Sequence, residues 1–261
     1  MQVVPMSAPL GAIVKDLDVR SVDAKLWPTL NDLFNKHHVL VFPNQDLTPA
    51  DHMAFAQHWG ELVPFPYGGI DGYPNIIELR NNGKKRDVNQ HWHSDMTYHP
   101  TPPKLTMLYA LEAPSLGGET AFSNQILAYQ ELSEGLREVV DGLVALHSAE
   151  GLARLYGADS AEASRAEHPV VRTHDENGQR GLYVCRAFTQ KFRNWSREES
   201  KALLEYLYQH SIRAEFQARH QWRVGDLVMW DNRCLLHYAV HDHSDNPRVI
   251  NRLQVIGGVP K

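Results

Sequence analysis

The chain has 261 residues, a net charge of −5 and no basic run, with a pI of about 6.3. That length suffices for one substantial core, so a single domain over residues 1–261 is expected. The charge balance excludes nucleic acid and an anionic membrane surface as partners. Two cysteines, Cys185 and Cys234, make no disulfide framework and fit a reducing cytoplasm.

The N-terminal stretch lacks the charged and apolar segments of a signal peptide, and no apolar run reaches membrane-spanning length. Residues 8–18 alternate apolar and polar side chains and predict one or two short strands. Leu26, Leu30, Leu33 and Phe34 sit at helical spacing within 23–37, with Pro28 in the first turn. The apolar run 39–42, closed by Pro43, predicts a buried strand. Thr48, Pro49 and Asp51 form a helix start, and that helix is expected to reach Trp59. Residues 60–89 are rich in Gly, Pro and Asn and predict a loop around one strand at 76–79.

A strand is expected to carry His93 and Asp95, followed by strands at 104–111 and 119–122. Helical periodicity runs over 126–146, broken near Ser133. Residues 148–165 are small, polar and weakly periodic, and read equally as a surface loop or as a lid over a site. A hairpin is expected at 170–184 around the turn 175–178. Ser196 caps an amphipathic helix over 197–210. Strands at 212–222, 227–230 and 248–256 complete the chain. Many short strands with helices at the flanks predict a mainly β fold, a β-sandwich or jelly roll.

His93-x-Asp95 stands out chemically. In a strand, residues i and i+2 face one way, so an imidazole and a carboxylate converge. His237 is the best third ligand, because two His and one carboxylate leave half of an octahedron open, which suits non-haem Fe(II). Spacing alone is weak: the chain has 15 His, and His243-Ser244-Asp245 repeats the pattern in a polar run. Two other readings follow from the residues. One is a structural zinc site joined by His91, which shares a face with His93. The other is a jelly roll that binds ligands without catalysis.

Five motifs appear in order: residues 92–98 (WHSDMTY), 117–120 (GGET), 230–233 (WDNR) leading to His237, then Arg248 and Arg252. In this the chain resembles the taurine dioxygenase / 2,4-dichlorophenoxyacetate dioxygenase family of Fe(II)- and 2-oxoglutarate-dependent oxygenases. The resemblance spans nearly the whole chain. It implies a double-stranded β-helix (jelly roll) with flanking helices, and His93, Asp95 and His237 as iron ligands. It implies Thr120 and Arg248 at the far carboxylate of 2-oxoglutarate, with O2 as the third reactant. It also implies hydroxylation of a small anionic substrate, a carboxylate, sulfonate or sulfate ester, with release of succinate and CO2. Desaturation and epoxidation share the same ligands. Arg252 matches the position that binds the substrate anion in taurine and sulfonate members, and Asn89 and Phe188 match substrate-contacting positions. Phe65 and Gly68 stand where the taurine enzyme has a His and a Tyr, which argues against taurine. Phe65, Tyr67 and Phe188 are expected to form an apolar wall beside the anion. A homo-oligomer is compatible with all of this.

Overall fold

A computed structural model describes residues 1–65, 68–81, 91–157, 159–242 and 247–261. Among these, eight strands form a large sheet in the spatial order Gln2–Pro5, Ala12–Lys15, Val39–Phe42, Leu227–Asp231, Leu105–Glu112, Arg248–Val255, Tyr73–Asn81, Gly69–Ile70. A smaller sheet has the order Gln217–His220, Thr120–Asn124, Leu235–Ala239. Pairing in both is antiparallel except between Ala12–Lys15 and Val39–Phe42.

Strand alternation sorts side chains into two cores. Leu40, Phe42, Met107, Leu227, Met229, Leu253 and Val255 face Leu30, Phe34, Phe55 and Trp59 of the flanking helices. On the opposite face, Val39, Val41, Leu108, Val228, Trp230 and Ile250 meet Phe122, Ala218 and Leu235 of the smaller sheet. The large sheet is therefore covered on both sides, which explains the unbroken apolar run 39–42, buried at every position. The two sheets share one inner core, and the result is a jelly roll with flanking helices. Because the period is two, Arg248, Arg252 and Gln254 share the inward face of Ile250.

The helix starts follow local chemistry. Thr48 with Asp51 and Ser196 with Glu199 form reciprocal capping boxes. The first of these helices, Pro49–Ala56, continues to Trp59 as a 3-10 turn. The helix Trp27–His37 has Pro28 in its opening turn, as expected. Two expectations are corrected. Residues 144–146 belong to the strand Val144–Ser148, not to a helix, because they pair with Arg165–Pro169 and Thr189–Phe192. His93 and Asp95 lie on no strand: His93 makes one isolated bridge, to His237, and Asp95 opens a turn.

Several histidines other than His93 and His237 are buried, His38, His52 and His147 among them. Burial pushes His38 down to about 4, and His52 and His147 down to about 3. Each is held neutral in the fold but titrates near 6.5 when unfolded, so the unfolded chain binds more protons below that pH. Stability is complete above pH 6.5 and falls as pH drops toward 4, at about 1.4 kcal/mol per pH unit for each histidine. Thermal melting across pH 4–8 measures this, and a flat profile below pH 6.5 would refute it.

Candidate active site

His93 and His237 face each other across two backbone hydrogen bonds. His93 N–H donates to the His237 carbonyl (3.1 Å) and His237 N–H to the His93 carbonyl (2.8 Å). His237 is held in the strand Leu235–Ala239, whose partner carries Thr120. The chain then turns sharply after Asp95: Met96 adopts φ +48°, and His99 N–H closes the turn on the Met96 carbonyl (2.8 Å). Ser94 Oγ ties this turn to the Asn232 carbonyl (2.6 Å). Bridge and turn together, rather than strand periodicity, bring His93 and Asp95 to one point.

The ligand geometry is explicit. Asp95 Oδ1 lies 3.7 Å from His93 Nε2 and 3.7 Å from His237 Nε2. Two atoms bonded to one ion at about 2.0–2.2 Å can lie up to roughly 4 Å apart, so a single metal spans them. The His91 carbonyl, 2.7 Å from His93 Nδ1, accepts its proton and leaves Nε2 as the lone-pair donor. All three side chains are buried. Burial is the largest influence on Asp95 and would raise it, but His237, Arg252, His93 and the Thr106 hydrogen bond hold it at about 2. Burial pushes His237 down to about 3. Both are thus in their ligating forms at neutral pH, and two neutral imidazoles with one carboxylate are the donor set expected for Fe(II).

The structural-zinc reading loses its fourth ligand, because the His91 side chain is exposed and stands outside this cluster. A second buried group, His38, His174, Asp231 and Cys234, also has metal-like spacing. Its charge is already satisfied. Arg233 grips Asp231 through Nε (2.8 Å) and Nη2 (2.7 Å), and His174 Nε2 adds a third contact (2.8 Å). A cation there would have to displace a buried guanidinium, so this lattice is an ion pair that fixes the 231–234 turn.

Two arginines point inward with no carboxylate in ion-pair contact among the described residues. Arg248 Nη2 donates to Thr120 Oγ1 (3.3 Å), its guanidinium lies 5.3 Å from the Trp222 ring, and its Nε has no partner there. Burial lowers Arg248 to about 10, so it remains charged at neutral pH. Trp222 Nε1 also donates to Thr120 Oγ1 (3.0 Å). A buried, charged, incompletely bonded fork is the cradle an anion's carboxylate requires. The Arg252 guanidinium lies 5.7 Å from the Phe65 ring, and its Nε is buried and unpartnered among the described residues. Asp226 and Glu119 lie against His220 (3.0 Å) and Arg219 (3.5 Å) rather than against Arg252.

Phe188 sits edge-on to His93 (6.0 Å between centroids) and to Tyr98 (5.1 Å). With Cys185, Leu236, Trp92 and Leu152 it forms an apolar wall. Leu152 belongs to the short helix Glu150–Leu155, so that helix touches the wall through this residue. Tyr67, Asn89 and the second His-x-Asp motif at 243–245 lie outside the described residues. Sequence reasoning missed Tyr98, Thr106 and Gln254. Tyr98 follows the metal turn, and its phenol is pushed up by burial and then by the Asp95 charge. Gln254 was detectable as the next inward position after Arg252. Thr106 gives no signal beyond an ordinary strand residue.

Fold and site together define a jelly-roll oxygenase built around a non-haem metal. The chain belongs to the taurine catabolism dioxygenase TauD, TfdA family, whose model matches residues 2–254. An alpha-ketoglutarate-dependent sulfate ester dioxygenase of Pseudomonas putida is 32% identical, over 100% of this chain and 91% of its own. An alpha-ketoglutarate-dependent 2,4-dichlorophenoxyacetate dioxygenase of Cupriavidus pinatubonensis is also 32% identical, over 89% and 90%. A taurine dioxygenase from Burkholderia xenovorans has the same fold, with a TM-score of 0.88 at 33% identity over 99% of this chain and 90% of that one. The protein is an Fe(II)- and 2-oxoglutarate-dependent dioxygenase that uses O2.

Proposed function

We propose that this dioxygenase, one domain over the whole chain, oxidises a small organic anion with an apolar body: an alkyl sulfate ester, an alkyl sulfonate or an aryloxyalkanoate. The observation that carries the reading is Arg252, a charged group on the same inward strand face as Arg248, whose buried Nε has no hydrogen-bond partner among the described residues. One carboxylate of 2-oxoglutarate occupies one clamp, so a second cation beside it calls for a second anion. Phe65 and Phe188 supply the apolar surface around it. The similar enzymes named for a sulfate ester and for a phenoxy acid act on such molecules by name. Taurine fits less well, because its ammonium has no acidic partner on the described wall.

His93, Asp95 and His237 hold the iron, and Arg248 with Thr120 holds the tail of 2-oxoglutarate. Iron, 2-oxoglutarate and O2 supply the oxidation: one oxygen atom enters the substrate and the other enters succinate, with CO2 released. The chain's own residues place the substrate. Arg252 anchors the anion, and the aromatic wall excludes water and aims a C–H bond at the metal centre.

The test screens alkyl sulfates, alkyl sulfonates and aryloxyalkanoates by succinate release, identifies the product of the best one, and repeats the assay with Arg252→Ala. Substrate-stimulated turnover should fall about 10–150-fold, as expected for a charge-assisted contact of roughly 1.5–3 kcal/mol. Slow substrate-independent conversion of 2-oxoglutarate should persist. A best substrate that is neutral or cationic, with the variant as fast as the parent, would overturn the reading.

A further inference from the structure

Two side chains outside the metal triad decide how Asp95 can present itself. Asp95 Oδ2 accepts hydrogen bonds from Thr106 Oγ1 (2.6 Å) and Gln254 Nε2 (2.9 Å). Oδ1 is the oxygen that lies 3.7 Å from both histidine Nε2 atoms. The direction of every bond in this network follows from its end points. Trp230 Nε1 can only donate, so the atom of Asn232 facing it at 2.9 Å is Oδ1. Asn232 Nδ2 therefore faces Thr106 Oγ1, at 2.9 Å. Gln254 Nε2 also donates to that hydroxyl, at 3.1 Å. Thr106 Oγ1 thus receives two donors, and its single proton goes to Asp95 Oδ2. Thr106, Asn232 and Gln254 are fully buried, so no solvent competes.

We infer that Thr106 and Gln254 are positioning residues that restrict Asp95 to one-oxygen coordination, a reading that rests on the metal site proposed above. With Oδ2 locked, only Oδ1 is free to reach the ion. The consequence is the number of open positions. An octahedral ion with one bond from each protein ligand keeps three positions, of which the 2-oxoglutarate chelate needs two and O2 one. A carboxylate free to rotate would bind through both oxygens and remove a position. Trp230 and Asn232 belong to the WDNR motif, so that motif sets the proton on Thr106 as well as the approach to His237.

The experiment counts exchangeable waters on Mn(II) in the full-length protein, without 2-oxoglutarate or substrate, by the broadening of its paramagnetic-resonance lines in oxygen-17-enriched water. The parent should show three, and Thr106→Ser, which keeps the hydroxyl, should also show three. Thr106→Val combined with Gln254→Met should show two. If that double variant fails to fold, Gln254→Met alone leaves the Thr106–Asn232 contact in place and should give a mean between two and three. Three waters in the double variant, or in Gln254→Met where only that variant folds, or fewer than three in the parent, would overturn the inference while leaving the metal site standing. A parent that binds no Mn(II) would overturn both. Apo-protein melting, recorded in parallel, separates loss of fold from change of coordination.

Discussion

Asp95→Ala will abolish 2-oxoglutarate turnover and metal binding while the chain remains folded. Among the described residues Asp95 alone supplies a carboxylate within reach of both His93 Nε2 and His237 Nε2. Removing it leaves two imidazoles, which retain an iron ion poorly. The stability cost is finite, because Thr106 and Gln254 lose a buried acceptor, a loss of about 1–3 kcal/mol. The inter-sheet core around Phe122, Trp230 and Ile250 is untouched. Bound iron, succinate release and circular dichroism measured together decide the matter. Full activity in Asp95→Ala would remove that residue from the site, and unfolding of His93→Ala, His237→Ala and Asp95→Ala alike would mean that the cluster is structural.

Arg248→Met is the second large effect, and its sign on stability is unusual. The variant should raise the KM for 2-oxoglutarate roughly 10–150-fold, from one or more charge-assisted hydrogen bonds of about 1.5–3 kcal/mol each. The ligand-free protein should be no less stable, and more stable if anything. Arg248 is a buried charge whose Nε lacks a partner among the described residues and whose pKa burial has already pulled down. Replacing such a group by an apolar side chain of similar length removes an uncompensated desolvation cost. In the parent, 2-oxoglutarate supplies the missing carboxylate and should raise the melting temperature, and that increment should vanish in the variant. Thr120→Val should do less, because it removes one hydroxyl and leaves the guanidinium in place. An unchanged KM in Arg248→Met would place the cosubstrate's tail elsewhere.

Several features were legible because they are written within a few residues. The capping boxes at Thr48 and Ser196 announce helices through side chains three positions apart. The apolar run 227–230 after its turn and the β-rich run 248–255 name the strands, and the run 39–42 reads as buried. The helix-to-strand error at 144–146 shows the limit. Apolar residues there satisfy a helical period, yet pairing with Arg165–Pro169 and Thr189–Phe192 decides the conformation, and neither partner is adjacent in sequence.

The sequence by itself determined which residue types the site would contain, their order along the chain, and the inward face shared by Arg248 and Arg252. It also carried the family motifs. Only the tertiary structure decided how these groups meet. His93 and Asp95 converge through one bridge to His237 and a turn at Met96, where a strand was expected. Thr106 and Gln254 reach Asp95 from two strands of the large sheet, while Asp226 and Glu119 lie against His220 and Arg219. The physical reason is range. Caps and alternation are set by contacts within a turn or a strand, whereas a ligand triad and its hydrogen bonds form between segments that become neighbours only when two sheets pack face to face.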